Sequence, residues 1–373
     1  MKIETLAIHA ANHTDASTAA VIQPIVLATT FERDEDGGYS KGFSYSRAGN
    51  PNRLSLENVL AKLEGGVDAA AFSSGNAAGM AVFQSLKPGT HIIAPDDMYH
   101  GLRNQLKILF NGILEFDFID LNNENLLKNT IKQNTGLIWV ETPSNPLLKI
   151  TDIKEMVTVA HENNIKVACD NTFASPLGQQ PLKLGADLVM HSTTKYLGGH
   201  SDLTGGALIT PVKDEWWERI QQIQQMGGAI SSPADCYWLT RSIKTLPYRM
   251  RAHAENAGLL ASFLDNHANV EQVLYPGLTS HPQHELAKEQ MLNFGGMLSF
   301  LVKGGVVQTE RVINATKLFT SATSLGGVES LIERRAAIEG PDTKTPQNLL
   351  RVSVGLEHID DLIADMDAAL NQI

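Results

Sequence analysis

The sequence predicts an α/β protein: a mostly parallel, doubly wound sheet with helices on both faces, a smaller C-terminal α+β domain, and an N-terminal arm. Three observations predict it. From residue 51 to 245, helical patterns alternate with short apolar runs, which is the pattern of strands joined by crossover helices. The last part, residues 246–373, opens with a long amphipathic stretch and carries two strand patterns before a terminal helical one. Residues 1–50 are instead rich in turn formers and polar side chains, including DEDGGYSKG at 34–42, and should not form a core of their own.

The elements follow in order. NRLSLENVLAKLEGG (52–66) has helical periodicity and ends on a glycine pair. DAAAFSS, THIIAP, GLIWVET, IKVACD and ADLVMHS are short apolar runs of the kind buried in a parallel sheet. GNAAGMAVFQSL (75–86) reads as a helix entered through SSGN, where a serine or asparagine can cap it. In the C-terminal domain RMRAHAENAGLLASFLDNH is helical, MLSFLV and LLRVSVG are strands, and HIDDLIADMDAALNQ closes the chain as a helix. The whole is 373 residues with 43% apolar and 19% charged content, enough for a large core and about two domains.

Charge and cysteine use narrow the function classes. A net charge of −11 argues against nucleic acid or an anionic membrane surface as partner. No stretch reaches the ~18 to 20 apolar residues of a membrane helix, and MKIETLAIHA has no charged leader before a long apolar run. Only Cys169 and Cys236 occur, which suits a reducing compartment better than a disulfide framework, so a soluble, cytoplasmic protein is expected.

The chemistry is concentrated in ADLVMHSTTKYLGGHSD (186–202). A predicted strand delivers Ser192, Thr193 and Thr194, whose hydroxyls suit a phosphate, and then Lys195, with glycines behind it. A lysine can attack an aldehyde only when partly unprotonated, which needs a desolvated, electropositive setting. Upstream, KVACDNTFASP ends a predicted strand at Asp170, where doubly wound sheets bind ligands. An aspartate there can pair with a pyridinium nitrogen and keep the ring an electron sink. Taken singly, Lys195 reads as an ordinary surface lysine, and Asp170 is equally readable as a cap or turn residue.

Their company decides. Tyr45–Pro51 as YSRAGNP, SSGNAA (73–78), Tyr99, ETPSNP (141–146), DNTFASP (170–176), HSTTKYLGGHSD (191–202), SLGGVESL (324–331) and RVSVGLE (351–357) stand in order along the chain. In these the chain closely resembles the transsulfuration family of pyridoxal-phosphate enzymes: cystathionine γ-synthase, cystathionine β- and γ-lyases, and methionine γ-lyase. The resemblance implies fold type I and pyridoxal 5'-phosphate as cofactor. It implies Lys195 as the residue that holds the aldehyde and moves the α proton, Asp170 on the ring nitrogen, and Tyr99 stacked on the ring with a lowered phenol pKa. Phosphate donors would be Gly75 and Asn76 through their amides and Ser192 and Thr194 through their hydroxyls. Relatives usually carry methionine where this chain has Asn76. Tyr45 and Arg47 would reach the phosphate of the neighbouring subunit, so that sites are shared in a homotetramer built as a dimer of dimers.

Substrate contacts implied by the resemblance are Arg351 on the α-carboxylate, Ser324 beside it, and Asn145 on the ring oxygen or the carboxylate, with Glu141 supporting that loop. For Arg351 a buried pairing with a structural carboxylate is the alternative. Three departures bear on the substrate. His100 stands after Tyr99 where relatives have glycine, and packing is its expected role. Thr323 stands where several cystathionine-handling relatives have glutamate. Glu333-Arg334-Arg335 replaces a segment where histidine and proline often follow the glutamate; facing the entrance, these arginines would favour an acidic or acylated substrate, though solvated surface charge is the plainer expectation.

The expected activity is a carbon–sulfur lyase acting on cystathionine or a related sulfur amino acid. The alternative is a γ-replacement synthase using an O-acylated homoserine; a non-catalytic cofactor-binding relative is a third. A nicotinamide dehydrogenase lacks its glycine fingerprint here. HPQH (281–284) offers two histidines without a third ligand and is read as a surface helix start, so no metal is assigned.

Overall fold

The computed structural model describes residues 1–11, 14–340 and 343–373. Seven strands form the first sheet: β1 (Asp68–Phe72), β2 (His91–Pro95), β3 (Glu115–Ile119), β4 (Thr135–Glu141), β5 (Lys166–Asp170), β6 (Leu188–Ser192) and β7 (Gly206–Thr210). Their order is β1-β7-β6-β5-β4-β2-β3. Pairings from β6 through β5, β4 and β2 to β3 are parallel, while β7 runs antiparallel to both β6 and β1. The mostly parallel sheet is therefore present. β2 and β7 are buried at every position, because helices cover both faces and neither face can be polar.

One face packs against helices Gly75–Ser85 and Glu215–Gly227, through Ala78, Val82, Phe83, Trp217 and Ile220. The other carries Ile153–Glu162 beneath β4 and β5 and Pro51–Glu64 beneath β1 and β7. The helix Pro51–Glu64 starts where Asn50 caps Asn52 and Arg53 and where proline, lacking an N–H, fits the first turn; it ends on Gly65 at φ 76°.

A second sheet holds β8 (Val270–Leu274), β9 (Met297–Val302), β10 (Thr320–Ser321), β11 (Leu331–Glu333) and β12 (Leu349–Ser353), in the order β10-β11-β12-β9-β8. It is antiparallel except for β10 with β11. Helices Leu246–Asp265 and Ile359–Leu370 cover it. The first of these spans both cores: Leu246 and Met250 pack under the first sheet, and Ala257, Leu260 and Leu264 under the second.

The arm has no core of its own, yet it begins with a helix, Ile3–His9, and Ala7, Ala10 and Ala11 are buried in the core beside the helix Pro51–Glu64. Beyond it the segment is largely exposed, tied by Asn50 Nδ2 to Val26 O (2.9 Å) and Asn52 Nδ2 to Pro24 O (2.9 Å). HPQH is only partly a surface helix start: His284 opens the helix His284–Gln290, but His281 is buried with Nε2 3.1 Å from Leu148 O.

A buried polar group locks the strand ends. Glu64 Oε1 accepts from Asn171 Nδ2 at 2.8 Å and lies 2.5 Å from His191 Nε2, and all three side chains are out of water. Removing one partner of such a pair strands the other. Glu64→Ala is expected to lower stability by about 3 to 5 kcal/mol in denaturant titration, whereas an exposed change such as Glu285→Ala should stay within roughly 0.5 kcal/mol.

Candidate active site

Strand register sets out the floor of the site. Glu141, Asp170 and Met190 are neighbours across the carboxyl ends of β4, β5 and β6, so all three face the same side. Alternation along β6 then turns Ser192 to that side and His191 to the opposite one, onto Glu64. Over this floor lies a cavity of about 310 Å³. Lys195, Asp170, Tyr99, Gly75, Asn76, Ser192, Thr194, Arg351, Ser324 and Asn145 all line it, although they are dispersed over most of the sequence. Tyr45 and Arg47 do not line it. Arg47 Nη1 donates to Gln225 O at 2.6 Å, and the Tyr45 ring is half exposed beneath its guanidinium.

Lys195 follows β6 in a tight turn closed by Gly198 N to Thr193 O (2.8 Å) and Gly199 N to Lys195 O (2.7 Å). Gly199 sits at φ 68°, and a Cβ there would meet Arg249 Nη1 at 2.1 Å; that buried arginine donates to Tyr196 O at 2.7 Å and clamps the turn. The lysine Nζ donates to Ser324 Oγ at 2.8 Å. Ser324 is held at φ 85°, a left-handed conformation that costs a residue with a side chain. Burial, aided by the Arg351 and Arg335 guanidiniums, brings the lysine down to about 8. The electropositive, desolvated setting expected of an aldehyde-binding lysine is thus present.

Asp170 is 6% exposed, and Oδ1 accepts from Thr172 N at 3.0 Å. Burial raises its pKa, and burial together with Asp170 raises that of Glu141 further. Glu141 Oε2 accepts from Tyr99 N at 2.8 Å, so it braces the Tyr99 segment rather than the Asn145 loop it was expected to support. Tyr99 lies across the chain at Gly101, where an added Cβ would meet the ring at 2.5 Å, so glycine is required there. The expectation of a lowered phenol pKa is corrected. Burial raises it, against the opposing effect of Arg335, so the phenol is a proton holder.

Arg351, 4% exposed, donates to Asn145 Oδ1 (3.0 Å), Ser324 O (2.8 Å) and Glu333 Oε2 (2.7 Å). It is therefore paired with a buried carboxylate and lines the cavity as well. The reading of Arg334 and Arg335 as solvated surface charge is corrected for Arg335. Arg334 does bind outside, to Glu310 and Gln347. Arg335 is 2% exposed, lines the cavity, and donates to Glu333 Oε2 (3.1 Å), Glu339 Oε1 (3.3 Å) and His100 Nδ1 (3.1 Å). Glu333 went unnoticed as the carboxylate serving both arginines. Thr172, whose Oγ1 accepts from Ser192 N at 2.9 Å, and Phe173 also line the cavity.

The donor set suits a pyridine aldehyde phosphate. Asp170 is a buried carboxylate that a ring N–H would match, and Lys195 loses its proton far more readily than a solvated lysine. The helix Gly75–Ser85 opens with amides that have no intrahelical acceptor. Ser74 caps it through Ala77 N, and close packing holds the opening in place: a Cβ on Gly75 would meet Ser192 Cβ at 2.7 Å, and one on Gly206 would meet Ser74 O at 2.1 Å. Ser192 and Thr194 add hydroxyls nearby. No cluster of three or more histidine, cysteine or carboxylate ligands occurs among the described residues.

Fold and site together define a pyridoxal-phosphate enzyme of fold type I. The family model described as Cys/Met metabolism PLP-dependent enzyme matches residues 4–371, and the chain belongs to that family. It is 46% identical to cystathionine gamma-synthase of Mycobacterium leprae, over 99% of this chain and 97% of that one. It is 44% identical to cystathionine gamma-lyase of Dictyostelium discoideum, over 100% and 98%. The crystal structure of metB from Corynebacterium glutamicum superimposes with a TM-score of 0.97 at 43% identity, covering 100% of this chain and 98% of that one. The cofactor is pyridoxal phosphate.

With Lys195 near 8 in place of its ordinary 10.5, roughly 300-fold more of it is neutral at pH 7 than of a solvated lysine. The rate at which the cofactor-stripped protein takes up pyridoxal phosphate, followed by absorbance near ~420 nm, should rise through about pH 8 and level off above it. A rate still climbing towards pH 10 would contradict this.

Proposed function

We propose that the protein is a carbon–sulfur lyase that cleaves cystathionine or a related thioether amino acid by elimination at Cβ or Cγ. The observation that carries this reading is Lys195: an amine brought down to about 8 in a cavity, aimed by Ser324, with Asp170 and Arg351 lining the same cavity. Pyridoxal phosphate supplies the electron-accepting ring that acidifies the Cα–H bond of a bound amino acid. Arg351 grips the α-carboxylate, steadied by Asn145, and so presents the Cα–H bond to Lys195. Lys195 removes that proton, and Asp170 holds positive charge at the ring nitrogen. For a sulfur on Cγ, Lys195 would first return that proton to the bound substrate and cofactor and, neutral again, take a second proton from Cβ. Tyr99, whose phenol is kept protonated, stacks on the ring and delivers a proton to the departing sulfur. Gly75, Asn76, Ser192 and Thr194 hold the phosphate.

In this reading residues 51–245 bind the cofactor and 246–373 the substrate. Tyr45 and Arg47 complete the neighbouring subunit's phosphate site in a cytoplasmic homotetramer. Support comes from their distance from the chain's own cavity and from the exposed Val21, Ile22 and Leu27 along the arm. Two free buried thiols agree with a reducing compartment.

A second reading, γ-replacement on an O-acylated homoserine, is favoured by Thr323 and Arg335. They put a neutral and a cationic side chain into the cavity.

Incubation with cystathionine should release a 2-oxo acid and a thiol: pyruvate with homocysteine for cleavage at Cβ, 2-oxobutyrate with cysteine for cleavage at Cγ. Net cystathionine formation from O-acylhomoserine and cysteine, with little oxo acid, would replace the lyase by the synthase. For the shared site, mixing inactive Lys195→Ala and Arg47→Ala chains under subunit exchange should restore up to about a quarter of the activity; a mixture as inactive as its parts would sink it.

A further inference from the structure

We infer that Arg335 and His100 form a second anion subsite, which selects amino acids whose side chain ends in a carboxylate or another oxyanion. The inference rests on the reading that Arg351 takes the α-carboxylate, and it holds for elimination and replacement alike.

Arg335 is more deeply buried than Arg351, and both line the same cavity. One oxygen, Glu333 Oε2, accepts from both guanidiniums, which fixes the two cations side by side. Arg335 spends one further N–H on Glu339 and one on His100. Its five N–H groups leave two unspent, one on each terminal nitrogen. Neither Glu333 nor Glu339 lines the cavity, so the neutralising carboxylates lie behind the arginine and its remaining donors are what a ligand meets.

His100 follows from the same bond. A guanidinium has no lone pair to offer, so Nδ1 of His100 must be the acceptor and its proton must reside on Nε2. The imidazole lines the cavity as a second donor. The carboxylates that line the cavity, among the described residues, are Glu141 and Asp170 at the strand ends, already accepting from the Tyr99 and Thr172 amides. Thr323, on the facing loop, is neutral. Among the described residues no carboxylate beyond Glu141 and Asp170 lines the cavity to meet a distal ammonium, whereas a distal oxyanion finds two donors. Cystathionine carries such a carboxylate on its far half, as O-succinylhomoserine does at its acyl end.

The test uses the holoenzyme and two six-carbon amino acids that differ only at the terminus: L-2-aminoadipate, ending in carboxylate, and L-norleucine, ending in methyl. A phosphonate-ended analogue separates carboxylate from phosphate recognition. Calorimetry should show aminoadipate bound at least about tenfold more tightly than norleucine. Arg335→Gln should cut that ratio by about tenfold to a hundredfold, and His100→Gly, which leaves Glu333 untouched, should cut it by a smaller factor. Equal binding of the two ligands by the wild type, or a preference that survives Arg335→Gln, overturns the subsite. If both variants lose Arg351 alignment instead, norleucine weakens in step with aminoadipate and the ratio stays, which also overturns it. A preserved preference in a protein that turns over neither cystathionine nor O-acylhomoserine supports the subsite and sinks the reaction proposed above.

Discussion

The site depends on a crowding of positive charge among side chains that are themselves mostly buried. Lys195, Arg351 and Arg335 share one cavity, and of the three only the lysine can shed its proton readily. The guanidiniums therefore stay charged and push the amine towards neutrality. The carboxylates are kept apart from it: Asp170 and Glu141 on the sheet floor, Glu333 and Glu339 behind the arginines. A carboxylate placed directly on Lys195 would restore its charge. Ser324 Oγ, the partner found there, orients the amine with no charge of its own.

That arrangement needs two sheets. Lys195 and Asp170 come from the carboxyl ends of parallel strands, where side chains of adjacent strands can converge. Arg351 is on β12, and Ser324 sits in the loop between β10 and β11, in the antiparallel sheet. Backbone approach too close for any side chain brings the two halves together: a Cβ on Gly326 would meet Tyr196 N at 2.6 Å. Gly326 of SLGG is thus a spacer between two layers of the site, while Gly199 makes room for Arg249.

Much of this was legible in the sequence, because the strands buried on both faces write themselves as apolar runs and the motifs sit at their ends. Other elements were not. β3 is an edge strand of mixed exposure, EFDFI, whose polar–apolar alternation lasts only from Glu115 to Phe118. β7 is short, glycine-led and inserted between β1 and β6 by contacts remote in sequence. Arg335 read as surface charge because arginines usually are. What buries it is a pair of glutamates two and four residues away plus His100, 235 positions distant. No local pattern announces that last partner. The direction of the Tyr99 shift was misjudged for a related reason, since the cost of burying a phenolate outweighs one nearby guanidinium.

The left-handed backbone of Ser324 ties a small part of this protein's stability to its chemistry. Glycine at that position would relax the strain and gain on the order of 1 kcal/mol, yet it would remove the hydroxyl that aims Lys195. Selection for thermal robustness alone would favour the glycine, and selection for turnover alone the serine. The serine at 324 therefore marks a compromise in which about 1 kcal/mol of stability is given up at a single φ angle for the sake of one oxygen atom.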